Sequence, residues 1–186
     1  MKIFNKIVIL LIIIILIGCN TIFQKNNGKC GFNQPKPNWI IQVPRSNNDY
    51  IYFVGLSNEN VSSERRARDE ALKHARVQLV NYLGTDVKDK MEEIIISMSL
   101  SSENIDPLML SQEFKTQFSK NVATQVHGEK FHVEFNQRGE DCVCKVYTLC
   151  SVPTRITNNS IRNFANDKLK TNEYIEFWEK LRDSVN

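Results

Sequence analysis

Four cysteines are the residues of this sequence whose type and spacing could support chemistry. Cys142, Cys144 and Cys150 lie in one apolar stretch, and Cys30 stands far upstream in a polar segment. Residues two apart point to the same face of a β-strand, so the three would share a face if their stretch is a strand. At ~3.3 Å per residue Cys142 and Cys150 are ~26 Å apart, and Cys142 and Cys144 ~6.6 Å. Neither spacing favours a disulfide within the strand.

Three chemistries remain open for these thiols. In an oxidising compartment Cys30 would cross-link to one of the three, and the other two would pack as small apolar side chains or pair across a bulge near Asp141. Alternatively, all of them are inert buried thiols. The third option is a metal or redox site that includes His127 and His132, although a C-x-C pair on a regular strand converges poorly on a metal. We favour the disulfide, because a flexible segment has no packing use for Cys30.

Familiar catalytic motifs are missing from the sequence. The three histidines form no H-E-x-x-H, no two of the seven glycines form a G-x-G, and no G-x-S-x-G occurs. The sequence therefore predicts neither an enzyme nor a bound cofactor or metal.

Cys19 ends a segment typical of secreted proteins. Lys2 and Lys6 precede an uninterrupted apolar run from Ile7 to Ile17, and Gly18 follows. Eleven apolar residues are too few to span a bilayer, which takes ~20, but they suit a secretory signal peptide. Leu16-Ile17-Gly18-Cys19 looks like the bacterial lipobox, which implies cleavage before Cys19 and acylation of that residue. Two or three acyl chains anchor a protein stably to a membrane surface.

Composition indicates one globular domain on a tether. Of 186 residues, 41% are hydrophobic and 24% charged. The net charge is +3, or about +1 once Lys2 and Lys6 are removed, so nucleic acid is not an expected partner. We predict a signal peptide over residues 1–18, a lipidated cysteine and tether over 19–37, and one α+β domain over 38–186, with a helical extension over 157–186.

Hydrophobic periodicity predicts the elements of that domain. Tyr50–Leu56 reads as a strand, in which Gly55 indicates a bulge or the close approach of another backbone. A helix follows Ser63, and Gly84 is expected to end or interrupt it before a second helical stripe. Asp106-Pro107 predicts the start of a third helix. Two antiparallel strands around a turn at residues 137–141 come next, and then one or two helices that contain Trp178. We expect the helix with Trp178 to cover the second face of the sheet or to meet another copy.

Several of these segments resemble a known family. They are Pro37-x-Trp39, Asp49–Ser57, Ala67-Arg68-x-x-Ala71-x-x-x-Ala75 and Val146–Pro153. In this order they look like the LPP-twenty lipoprotein family, which is similar to the N-terminal domains of flagellar outer-membrane proteins P and T. The resemblance implies a small antiparallel sheet of about three strands in β-α-β-β order, dodecin-like, with a long helix packed on it. It also implies outer-membrane anchoring and no catalytic centre.

Together these observations predict a membrane-anchored, non-catalytic assembly component of the cell envelope. One alternative is a periplasmic ligand- or metal-binding module, with His127, His132 and the strand cysteines as donors. Another is a component of a flagellar basal structure, which the resemblance alone suggests. The expected partners are membrane lipid, through acylated Cys19, and a second copy of the chain, through a sheet edge or the C-terminal helix.

Overall fold

The computed structural model describes residues 30–31, 33–101, 105–122, 125–170 and 174–185. Its helices and strands follow the α+β order that the sequence predicts. In chain order they are α1 Asn38–Ile41, β1 Tyr50–Leu56, α2 Glu64–Ser97, α3 Pro107–Val122, β2 His127–Arg138, β3 Asp141–Pro153, α4 Thr154–Leu169 and α5 Ile175–Asp183.

The three strands form one antiparallel sheet in the order β1-β3-β2. Strand β3 is central, because it pairs with β1 along one side and with β2 along the other. Its register places Cys150 opposite Phe53 and Cys144 opposite Phe135. The turn between β2 and β3 is shorter than predicted and contains Gly139, whose φ of 65° is a conformation that glycine adopts at little cost.

Helix α2 runs unbroken through Gly84, so the predicted interruption there is wrong. The Ser63 side chain accepts a hydrogen bond from the N–H of Arg66 and caps its first turn. A glycine inside a helix costs only ~1 kcal/mol relative to alanine, which the burial of the flanking apolar residues outweighs. Gly84 also lies under the Lys115 side chain of α3, where a Cβ would collide with it. Glycine thus leaves room for the Lys115 side chain where α3 crosses α2.

The apolar stripe of α2 winds around the helix. Buried residues recur at every fourth position from Ala67 to Met91 and on to Ile95. Four residues turn ~400°, so each step moves the stripe ~40° around the axis. Its first part, with Ala67 and Ala71, faces Cys144 and Val146 of the sheet. Its later part joins the main core with the other helices.

Gly55 lies where α2 and the sheet are closest. A Cβ at this position would collide with the carbonyl oxygen of Ala71 and lie 2.9 Å from the Cβ of Ala75. Of the two alternatives that the sequence offers for Gly55, a bulge or a close backbone approach, the second is present. The small side chains at 71 and 75 permit it.

Helices α3, α4 and α5 enclose an aromatic cluster beyond the sheet. The Phe114 ring is 5.5 Å from those of Phe118 and Phe164, and Phe164 contacts Trp178 at 6.1 Å. Trp178 and Phe177 are 1% and 0% exposed. The C-terminal helix therefore completes the core of its own chain, on the α2 side of the sheet.

Residues 36–41, near the start of the described chain, lie on the face of the sheet turned away from α2. Just before them, Cys30 is bonded to Cys142 and Gly31 lies against the Phe135 ring. We call residues 30–31 and 33–46 the arm. Single-turn helix α1 in this segment contacts β3, and Lys36 contacts Tyr147. Contacts of the arm with the sheet begin at Cys30, whereas the sequence predicts a tether as far as residue 37.

Candidate functional site

Cys30 is bonded to Cys142, the second residue of β3. The two Cα atoms are 5.2 Å apart, within the usual range for a disulfide. Cys142 is solvent-exposed at the strand end, whereas Cys144 and Cys150 lie in the core at 3% and 0% exposure. Of the three strand cysteines only Cys142 is accessible to the arm. The exposed position of Cys142 therefore explains which of the three strand cysteines bonds to Cys30.

Cys144 and Cys150 are free thiols beneath α2. Burial raises the pKa of both, and the Glu64 charge adds to the effect at Cys144. The Cys144 thiol donates to the carbonyl oxygen of Val61 at 3.3 Å. Since the thiolate is the reactive form of cysteine, the raised pKa makes both thiols poor nucleophiles and poor metal ligands.

The two strand histidines, His127 and His132, and the strand cysteines lie on opposite faces of the sheet. Partners across an antiparallel ladder share a face. His132 pairs with Tyr147 and His127 with Ser151, at odd positions of β3, whereas the cysteines occupy even positions. Among the described residues no three His, Cys, Asp or Glu side chains are placed to hold a metal ion together. The donor set considered from the sequence therefore does not converge on one site.

A polar cluster fastens the arm to the far face of the sheet. Lys36 Nζ lies 3.1 Å from Glu134 Oε1 and donates to the Tyr147 hydroxyl at 3.3 Å. That hydroxyl donates to Glu134 Oε2 at 3.4 Å, which closes a triangle. Lys145 lies over the same tyrosine ring, 5.6 Å from its centre. The hydrogen bonds from Lys36 to Glu134 and Tyr147 raise the pKa of Lys36.

His132 lies beside this cluster with one nitrogen unused. Its side chain is 7% exposed, and Nε2 has no hydrogen-bond partner among the described residues. Glu134 Oε1 is 3.8 Å away, too far for a strong hydrogen bond. The arrangement offers a general base without a nucleophile beside it. Among the described residues, the cluster therefore provides an attachment for the arm.

The two edges of the sheet differ in how many backbone groups are occupied. On β1 the outward N–H groups of Tyr50, Tyr52 and Leu56 donate to Asn47, Ser46 and His74.

On β2 the Asn33 side chain bonds both the N–H and the C=O of Phe135. By strand alternation, Phe131 and Val133 turn their backbone groups toward the same edge. No hydrogen bond joins these groups to another residue in the described part of the chain. The β2 edge thus has two successive outward residues, Phe131 and Val133, with unbonded backbone groups. On β1, Val54 lies between the bonded N–H groups of Tyr52 and Leu56.

Sequence reasoning identified Cys30 and its candidate partners but missed the Lys36 cluster. Lys36 and Tyr147 are 111 residues apart, and no local pattern links a lysine between two prolines to a strand tyrosine.

Arg68, which the helical pattern places in the apolar stripe, has two partners. It pairs with Glu64 at 2.6 Å and lies 4.6 Å from the centre of the Phe131 ring.

The lipidation residue predicted from sequence, Cys19, lies outside the described residues. Within the described ranges, no helix has both the length and the apolar character to cross a membrane. Comparison with protein-family models, with characterised proteins and with solved structures found no match to this chain. The resemblance to the LPP-twenty family therefore stays a hypothesis that rests on the sequence segments alone.

Proposed function

We propose that this chain is a lipid-anchored protein of the bacterial outer membrane, with a non-catalytic role in envelope assembly. One observation carries the proposal: the charged start, the apolar run and Leu16-Ile17-Gly18-Cys19 together match the signal of a lipoprotein. The missing catalytic motifs support a role in binding or assembly over an enzymatic one.

The Cys30–Cys142 disulfide supports export. Such bonds persist in oxidising compartments and are rare in the cytosol. Ten residues separate Cys19 from Cys30. At ~3.3–3.6 Å per residue, the acylated end would lie within ~40 Å of the start of β3. The end of the sheet that carries the β2–β3 turn would then be the membrane-proximal end.

Mass spectrometry of detergent-extracted protein tests the anchor. We expect an N-terminal peptide that begins at Cys19 and carries acyl groups. A Cys19→Ala variant should appear in the soluble fraction, because a single uncleaved signal of this length anchors poorly. Membrane partition that this variant leaves unchanged would contradict the proposal.

The assembly role requires a contact surface, and we place it at the β2 edge. Phe177 and Trp178 are occupied inside the chain, and Asn47, Ser46 and His74 occupy three N–H groups of β1. An exposed strand edge with free backbone groups favours pairing with another chain. Copies anchored in one plane have a raised effective concentration, which makes a weak contact productive.

Substitution of Val133 by proline tests this contact. The N–H of Val133 points outward, so its loss breaks no hydrogen bond within the sheet, but it blocks strand pairing at the edge. We expect light scattering to show a smaller assembly for Val133→Pro than for the unaltered protein. Val54→Pro on the β1 edge is the matched control and should leave the assembly unchanged. A monomeric unaltered protein at tens of micromolar would rule out self-association.

A further inference from the structure

An apolar groove lies on α2 where the cover provided by α3 ends. Helix α3 crosses α2 at Gly84, under Lys115, and Ser119 lies about one turn further along α3. The groove extends from there along α2, and its volume is about 430 Å³. Its lining residues are Lys73, Arg76, Val77, Val80, Asn81, Ser119 and Val126. This volume is within the range of small-molecule sites.

The apolar part of the lining is partly uncovered. Val77 is 49% exposed, although Val126 beside it is 4% exposed. Exposed apolar surface in a concave site favours a ligand that covers it. An alkyl chain would bury the side chains of Val77 and Val80.

Two cations of the groove have no partner among the described residues. Elsewhere on α2 basic residues pair four positions away, as Arg66 does with Glu70 and Lys88 with Glu92. No ion pair or hydrogen bond joins Lys73 or Arg76 to another described residue. Nε of Arg76 is buried as well as unpaired, which is costly for a charged donor.

Two acids, Asp69 and Glu70, lie about one helical turn before Lys73, and neither forms an ion pair with either cation of the groove among the described residues. The Glu70 carboxylate accepts from Arg66 at 3.2 Å and from Asn58 at 3.1 Å. A ligand that supplies an anionic group would satisfy the buried Nε and balance the two positive charges. A neutral apolar ligand would leave them unpaired, and a small inorganic anion would leave the valines exposed.

We propose that this groove binds an anionic amphiphile with a single alkyl chain. Arg76 and Lys73 hold the charged head, and Val77, Val80 and Val126 line the path of the chain. A carboxylate and a phosphate head share the required chemistry. The site is independent of the anchor at Cys19 and of the β2 edge.

Calorimetric titration of the Asn20–Asn186 chain with decanoate and with decyl phosphate tests the proposal. This chain keeps the disulfide and both apolar clusters, which lie between Ile51 and Val185. We expect saturable one-to-one binding of at least one of the two anions, and the tighter one identifies the head group. Decanol, which has only the chain, and acetate, which has only the head, should bind at least about tenfold more weakly.

Matched variants locate the site. Arg76→Met keeps an unbranched apolar side chain without the charge, and Lys73→Ala changes an exposed residue, so both should fold. Each should weaken binding of the anion about tenfold or more. Arg65→Ala, an exposed cation on the same helix outside the groove, should leave it unchanged. The proposal is overturned if neither anion saturates, if decanol binds as tightly as the anions, or if both groove variants bind like the unaltered chain.

Discussion

Gly55 is the residue at which the packing of α2 on the sheet leaves least room. Its place inside a strand predicted either a bulge or a close backbone approach, but the sequence does not name the partner. The partner is the carbonyl oxygen of Ala71, and the alanines spaced along α2 make the approach feasible.

Gly55→Ala should therefore destabilise the protein. The added methyl group would collide with the Ala71 carbonyl, which is backbone and cannot rotate away, so helix and sheet must separate. Overpacking of this kind costs about 1–3 kcal/mol. The free energy of unfolding in urea measures it. Gly139→Asn is the control, because asparagine tolerates positive φ and nothing lies within 4 Å of a Cβ there.

Lys36 shows what a single sequence cannot reveal. Its two partners, Glu134 and Tyr147, lie on two strands about a hundred residues away, and their meeting depends on which face of the sheet the arm covers. Spacing and periodicity describe neighbours along the chain. They carry no information about this pairing.

The raised pKa of Lys36 predicts a pH dependence of stability. Because the folded pKa lies above the ordinary value of 10.5, the contribution of the ion pair is complete below that value. It is lost as the pH rises through the folded pKa. The free energies of unfolding in urea of the unaltered protein and of Lys36→Met should therefore differ at neutral pH and become equal in strong alkali. When both proteins also carry Glu134→Gln, their free energies of unfolding should differ little at every pH.

At the scale of elements, α2 explains both a correct prediction and an error. The four-residue spacing from Ala67 onward predicts a helix, and it continues in register across Gly84. The glycine suggested a break because its weak helix propensity is a local signal. The burial that overrides it comes from α3, α4 and α5, and long-range packing of this kind is not visible in a local window.

The winding of the stripe can be tested at its far end. Met91, on α2, is fully buried among the other helices, whereas Ile96 five residues later is 77% exposed. Met91→Ala should cost about 2–5 kcal/mol, because it leaves a cavity in the core. Ile96→Ala should change the free energy of unfolding by less than about 0.5 kcal/mol. Equal costs in urea unfolding would show that α2 packs on another face.

At the scale of the molecule, the N-terminal and C-terminal segments take different places from those considered in the sequence. The helix with Trp178 was expected to cover the second face of the sheet or to meet another copy. It packs instead on α4 and α2, and the arm covers that face. The sequence predicted a polar tether as far as residue 37, so the composition of the arm did not indicate that it would cover this face.

The disulfide should contribute strongly to global stability. Cys30 and Cys142 are 112 residues apart, and the chain-entropy model gives about 4–5 kcal/mol for a loop of that length, often less in practice. Reductant should lower the urea midpoint of the unaltered protein toward that of Cys30→Ser and leave the variant unchanged. Non-reducing peptide mapping should recover the linked peptides. An alkylatable Cys30 in freshly isolated native protein would count against the bond.

The disulfide also determines how mechanical force would enter the fold. In the lipid-anchored protein proposed above, tension from the membrane travels along the chain from Cys19 and reaches Cys30. There it passes through the sulfur atoms into the beginning of β3, the strand that is hydrogen-bonded on both sides. A pull along that strand loads its ladder bonds together, in shear. Without the bond the same pull would peel Asn33 and Lys36 from the sheet one after the other.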